Sequence, residues 1–178
     1  MSLVRQSEQS SIKLASPLLD KARRLGLQLP VDLERLAIAR GCDYYQRDLA
    51  PRIPLLEEVQ LSTTELAIAL LVPSLPPTAR EIRLAAALLG APGVCAEDVA
   101  RLAVQENCAD VVRYIALSGQ RFEPENPFWA SLADLLPDVN LDTKILPHPT
   151  RFVEMTGIDR GKIGRFTRWI RPRNRAAA

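Results

Sequence analysis

Apolar residues along this chain recur at helical rather than alternating spacing, and each run is bracketed by residues that start or stop a helix. Leu18, Leu19, Ala22 and Leu25 share one face behind a Ser16-Pro17 start, and the run stops at Gly26. Ser16 offers an N-cap oxygen, while Pro17 stands where a missing N–H costs nothing. A second run opens at Pro30 and Asp32 with Leu33, Leu36 and Ala37 on its stripe and Tyr44 further along. It is predicted to span Val31–Leu49, until Pro51 and Pro54 forbid continuation. Ser62 with Glu65, and Thr78 with Glu81, each form the capping-box pattern in which two orphan backbone donors are satisfied reciprocally. The first of these helices must stop before Pro73. The second, Ile82 to Leu89, is apolar nearly all round and is predicted to be the central core helix, ended by Gly90, Pro92 and Gly93. A long helical stretch then covers Glu97–Leu117, with a kink or division expected near Asn107. Asn126-Pro127 opens a last helix with Phe128, Leu132, Leu135 and Leu136 before Pro137. No run alternates well enough to predict a strand.

Two of these segments resemble each other. Asp32–Ala50 laid on Asp98–Ala116 gives seven identities in 19 positions, among them Asp32/Asp98, Arg35/Arg101, Leu36/Leu102, Cys42/Cys108 and Arg47/Arg113. Leu25-Gly26 precedes the first copy and Leu89-Gly90 the second, and the capped helix before Pro73 has its counterpart before Pro137. The expected fold is therefore all-α: a tandem duplication of a roughly 65-residue three-helix unit, forming a compact α-solenoid or an orthogonal helical bundle. Residues 1–15 carry no period and are expected to be a flexible N-terminus; residues 16–150 form the helical-repeat domain, with copies at about 25–88 and 89–150.

The pair Glu65–Val72 and Glu81–Gly90, ELAIALLV followed by EIRLAAALLG, resembles a HEAT-type helical repeat, and Val112-Arg113 starts a second approximate match. The likeness covers about a third of the chain. It implies an interaction scaffold rather than a catalyst.

Composition changes this picture little. Only 5% of residues are aromatic, so Leu, Ala, Val and Ile must fill the interior, a choice suited to close-packed helices. Cys42, Cys95 and Cys108 are odd in number and lack ligand spacing, which points to reduced thiols. No apolar run has the length of a signal peptide core or a membrane span, so a cytoplasmic protein without a transmembrane segment is expected. No metal cluster, phosphate loop or catalytic motif is written in the sequence, and no cofactor is expected.

Charge does set one segment apart. Residues 1–150 hold 15 Lys and Arg against 19 Asp and Glu, whereas residues 151–178 hold 8 against 2. In this basic C-terminal segment Arg160, Lys162, Arg165, Arg168, Arg171, Arg173 and Arg175 are interleaved with Phe166 and Trp169. A helix over residues 162–171 would place Ile163, Phe166 and Ile170 on one face and cations over much of the rest. It would dock as a terminal cap, meet an acidic protein or nucleic-acid partner, or lie on a membrane surface. The function expected is a non-enzymatic helical-repeat module for protein interaction that uses this segment. The alternative is a nucleic-acid-binding protein whose arginines contact phosphates while Trp169 or Phe166 stacks on bases. Lesser candidates are a reactive Cys95 at a helix start, a site at His148, the acidic pairs Glu57-Glu58 and Glu97-Asp98, a ladder of Arg35, Arg47, Arg80, Arg83, Arg101 and Arg113, and a partner anchor at Phe128 and Trp129. For each of these a structural role is the stronger expectation.

Overall fold

The computed structural model describes residues 15–42, 60–138, 146–156 and 166–173. Among them are seven α-helices: α1 (Pro17–Arg24), α2 (Val31–Ala39), α3 (Thr63–Ala69), α4 (Ala79–Leu89), α5 (Ala96–Gln105), α6 (Ala109–Phe122) and α7 (Pro127–Leu135). A 3-10 turn at Pro149–Phe152 leads into a two-stranded antiparallel sheet of β1 (Val153–Thr156) and β2 (Phe166–Trp169). The fold is an all-α bundle with a small terminal hairpin.

The helix starts follow the local chemistry. Ser16 accepts from the Leu19 N–H, Asn126 from the Phe128 N–H, and the Ser62/Glu65 and Thr78/Glu81 boxes are both closed. α4 lies at the centre with Glu81, Ile82 and the whole of Leu84–Leu89 buried. It packs on α3 and α2, while α5, α6 and α7 pack on one another and α3 also meets α5. Burying a leucine such as Leu66, Leu84 or Leu88, all at 0% exposure, contributes roughly 1.5–3 kcal/mol each.

One buried contact joins the start of α1 to the end of α5. Glu106, just past α5, is 2% exposed, and its carboxylate accepts from the Ser16 hydroxyl and, at 2.9 Å, from the Leu18 N–H. A buried carboxylate is tolerated there because the start of a helix supplies both donors and a positive dipole end.

The break expected near Asn107 is present. Asn107 has a φ of +58°, which divides the stretch into α5 and α6. Gly41, which the sequence alignment sets opposite Asn107, has a φ of +102°, and α2 ends at Ala39, short of the expected Leu49. Both turns close alike: the Cys42 N–H reaches the Ala37 carbonyl at 3.1 Å, the Cys108 N–H reaches the Ala103 carbonyl at 2.9 Å, and both thiols are at 0% exposure. An Asp-Arg pair three residues apart precedes each turn, Asp32–Arg35 and Asp98–Arg101. Tyr44, Arg47 and the rest of the stretch to Ala50 lie outside the described residues.

The conditional helix over residues 162–171 is not what the described part of that stretch adopts: Phe166–Trp169 is a strand paired with β1, in the register Val153↔Trp169, Glu154↔Arg168, Met155↔Thr167 and Thr156↔Phe166. Gly157, Gly161 and Gly164 make a helix through this region costly, at about 1 kcal/mol each against alanine. Phe166, Thr167 and Trp169 carry the β-branched and aromatic character that suits a strand.

Candidate functional site

The C-terminal segment, the one part of the chain with strong charge, is fastened to the bundle by its last described residues. Trp169 is at 0% exposure. Its indole lies 4.5 Å from the Trp129 ring and 5.5 Å from the Phe152 ring, centroid to centroid, and its N–H donates to the Ala86 carbonyl of α4 at 2.9 Å. The ring fits because Gly90, at the end of α4, has no side chain: a Cβ there would stand 2.6 Å from the Trp169 Cδ1. Trp129 rests on a second glycine in the same way, since a Cβ on Gly119 would stand 2.2 Å from its Cδ2. Buried indoles need a partner for the ring N–H as well as space, and the second indole finds it in Glu123 at 3.0 Å.

Glu123 is the junction of the region. It accepts from Trp129, from Asn126 and, through both oxygens, from the guanidinium of Arg171 at 2.7 and 2.5 Å. These donors outweigh burial and hold its carboxyl well below the ordinary range, at about 2. Arg171 also donates through Nε to the Gly90 carbonyl at 2.7 Å. The backbone continues the attachment: the Ile170 N–H donates to the Phe152 carbonyl at 2.9 Å and the Arg173 N–H to the Gly41 carbonyl at 3.0 Å. Beside this strap a cleft of about 260 Å³ opens between residues 90–94 and the start of α7, lined by Gly90, Pro92, Val94, Asn126, Phe128 and Arg171.

The expected contact residues therefore separate. Trp169 turns inward, and an indole with both ring neighbours and its N–H engaged has no face left for a base, whereas Arg171 is paired with Glu123 while 25% of its side chain stays exposed beside the cleft. Arg168 is exposed on β2, opposite Glu154, and Arg151 is exposed in the 3-10 turn. Arg173 is exposed in side chain but tied through its backbone to Gly41. Phe166 has its backbone in β2; Arg160, Lys162, Arg165 and Arg175 lie outside the described residues.

The lesser candidates resolve into structural roles. His148, exposed, accepts from the Thr150 N–H and caps the 3-10 turn. Arg35, Arg101, Arg80 and Arg113 pair with Asp32, Asp98, Glu34 and Asp138, and Arg113 also closes the end of α7 through the Ala133 carbonyl at 2.9 Å. Trp129 is core and Phe128 half-buried beside it. Glu97 accepts from Cys95 at 2.8 Å, while Glu57 and Glu58 lie outside the described residues.

The cysteines differ sharply. Cys42 and Cys108 are buried and Cys95 is exposed, and burial together with Asp110 and Glu106 pushes the Cys108 thiol up to about 12. Titrating the native chain with a thiol-specific disulfide reagent is expected to modify Cys95 alone and to reach the other two only in denaturant; rapid native labelling of Cys108 would contradict this burial.

Gly119 offers a further check on the packing. Alanine there gains helix propensity but drives a methyl into a fully buried, rigid indole, so Gly119→Ala is expected to destabilise by about 1–3 kcal/mol. A urea midpoint equal to or above the parent would show that Trp129 has room to move.

Glu106, Glu123 and Gly119 are the residues that sequence reasoning passed over, and Gly90 was read only as a helix stop. Neither carboxylate nor Gly119 carries a local signal of the indole or guanidinium it meets. Compared with protein-family models, with curated proteins and with solved structures, the chain finds no match in any of the three.

Proposed function

We propose that this chain is a non-enzymatic helical interaction module, HEAT-like and duplicated in build, that presents a basic C-terminal hairpin to an acidic protein partner. The observation supporting this reading is the division of labour among Arg168, Trp169 and Arg171. Trp169 and Arg171 are spent on anchoring, while Arg168, next to the anchor, stays exposed on a paired strand. Arg151 is exposed nearby in sequence to β1, and the residues between the strands contribute Arg160, Lys162 and Arg165 to the same segment. Anchoring limits the entropy lost when such cations engage a partner.

The alternative, nucleic-acid binding, keeps its phosphate contacts but loses Trp169 as a stacking platform, which is why a protein partner is preferred. The test is a salt series on the full chain and on Arg168→Glu, with polyglutamate, single-stranded RNA and double-stranded DNA as probes. Binding to polyglutamate that weakens in Arg168→Glu supports the protein reading. Binding confined to the nucleic acids, with a linear log–log salt dependence whose slope falls by about 1 in the variant, transfers the conclusion to the alternative. No binding to any probe removes the hairpin as a charged contact surface.

A further inference from the structure

We propose that the groove holding Trp169 to Arg173 is a recognition site for an extended, basic Trp-x-Arg peptide, occupied here by the chain's own C-terminal residues. This goes beyond the exposed basic hairpin, concerns a different surface, and stands whether or not that surface binds a partner.

The side-chain contacts of the strap are of a kind that selects a sequence. The indole enters a slot whose floor is Gly90 and whose walls are Trp129 and Phe152, and the Ala86 carbonyl at its end accepts the ring N–H at 2.9 Å. Two residues on, Glu123 takes a guanidinium fork through both oxygens and the Gly90 carbonyl takes its Nε. A lysine cannot reproduce that planar, two-pronged geometry. Between these side chains the Ile170 N–H is held by the Phe152 carbonyl and the Ile170 side chain is itself buried, so the middle residue must be apolar and cannot be proline; beyond them the Arg173 N–H is held by Gly41, with Pro172, which has no N–H, in between. Main-chain bonds along an extended segment combined with pockets for particular side chains are how folded domains read peptides.

The groove is built wholly from residues that precede the hairpin's second strand, and the chain up to residue 150 has the acidic excess, 19 Asp and Glu against 15 Lys and Arg, that favours a basic ligand. The tethered strap holds the site at an effective concentration on the order of millimolar, so a peptide in solution gains access only when the strap is weakened or lifts away.

The probe is a fluorescent peptide of residues 166–173, titrated into the intact chain and into full-length Arg171→Ala, with a peptide bearing alanine in place of its tryptophan as control. The expected result is binding to Arg171→Ala at least about tenfold tighter than to the parent, and none by the control peptide. A folded Arg171→Ala that ignores the peptide overturns the proposal, as does equal binding of the control. If Arg171→Ala fails to fold, amide exchange in the parent chain decides. Exchange at Ile170 and Arg173 at least about tenfold faster than at Leu88 of α4 shows a strap that opens on its own and sustains the proposal. Exchange at the same rate as Leu88 makes the strap an inseparable part of the core and overturns it.

Discussion

Trp169→Ala is expected to destabilise the chain by about 3–5 kcal/mol, the range for removing a fully buried large aromatic. The indole is at 0% exposure and fills the space between α4, Trp129 and Phe152. Its loss also leaves the Ala86 carbonyl without its ring N–H and uncovers Gly90, the point where the strap and α4 meet. Because a domain of this size has a total stability of only about 5–15 kcal/mol, the loss should be visible as a large fall in the urea midpoint. Phenylalanine should restore part of the packing but not the hydrogen bond. A midpoint within experimental error of the parent would mean that the hairpin is an appendage and the bundle closes its core without it.

The second large effect centres on Glu123. Its carboxylate binds Arg171, Trp129 and Asn126 together, with side-chain exposure of 13% for Glu123 and 25% for Arg171, so the pair is shielded from solvent without being dry. Removing the charge in Glu123→Gln leaves a partly buried guanidinium uncompensated, and about 2–4 kcal/mol is expected to be lost at neutral pH. The pH dependence has a definite sign. With a folded value of about 2 against the ordinary 4.5, ionised Glu123 favours the folded chain. Its contribution is complete above the ordinary value and is lost as the pH falls from there toward the folded value. Denaturation of parent and variant followed down this range should therefore show the gap between them closing. A gap that stays constant with pH would assign the loss to altered packing around Trp129 instead of to charge.

Both effects fall on the strap that anchors the hairpin, and this links stability to the proposed function. If the strap is loosened, Arg168 remains on the surface but no longer on a fixed strand. Glu123→Gln should accordingly weaken any binding that depends on the hairpin's geometry more than binding that depends on net charge alone.

Helix boundaries were readable wherever the physics is local. Ser16-Pro17, the Ser62/Glu65 and Thr78/Glu81 boxes and Asn126-Pro127 start helices because a cap and its orphan N–H lie within a few residues of each other. α4 was recognisable as the central helix because a surface helix would not carry apolar residues on all sides. The turn at Asn107 was likewise visible, since a left-handed residue there falls between two helical runs.

What the sequence could not decide is what the charges and aromatics do, because that depends on which distant residues meet them. The strand at Phe166–Trp169 exists because β1 is there to pair with it and Gly90 leaves space for its indole; in isolation the same residues read equally well as an amphipathic helix. Arg171 and Arg168 are indistinguishable by type and spacing, yet one meets Glu123, 48 positions earlier in the chain, and the other faces solvent. Local backbone chemistry, capping and periodicity thus determined the helices and the all-α class. Long-range packing alone decided which cations are buried, which aromatics belong to the core and where the terminal segment is held, because burial energies arise only once residues far apart in sequence are brought into contact.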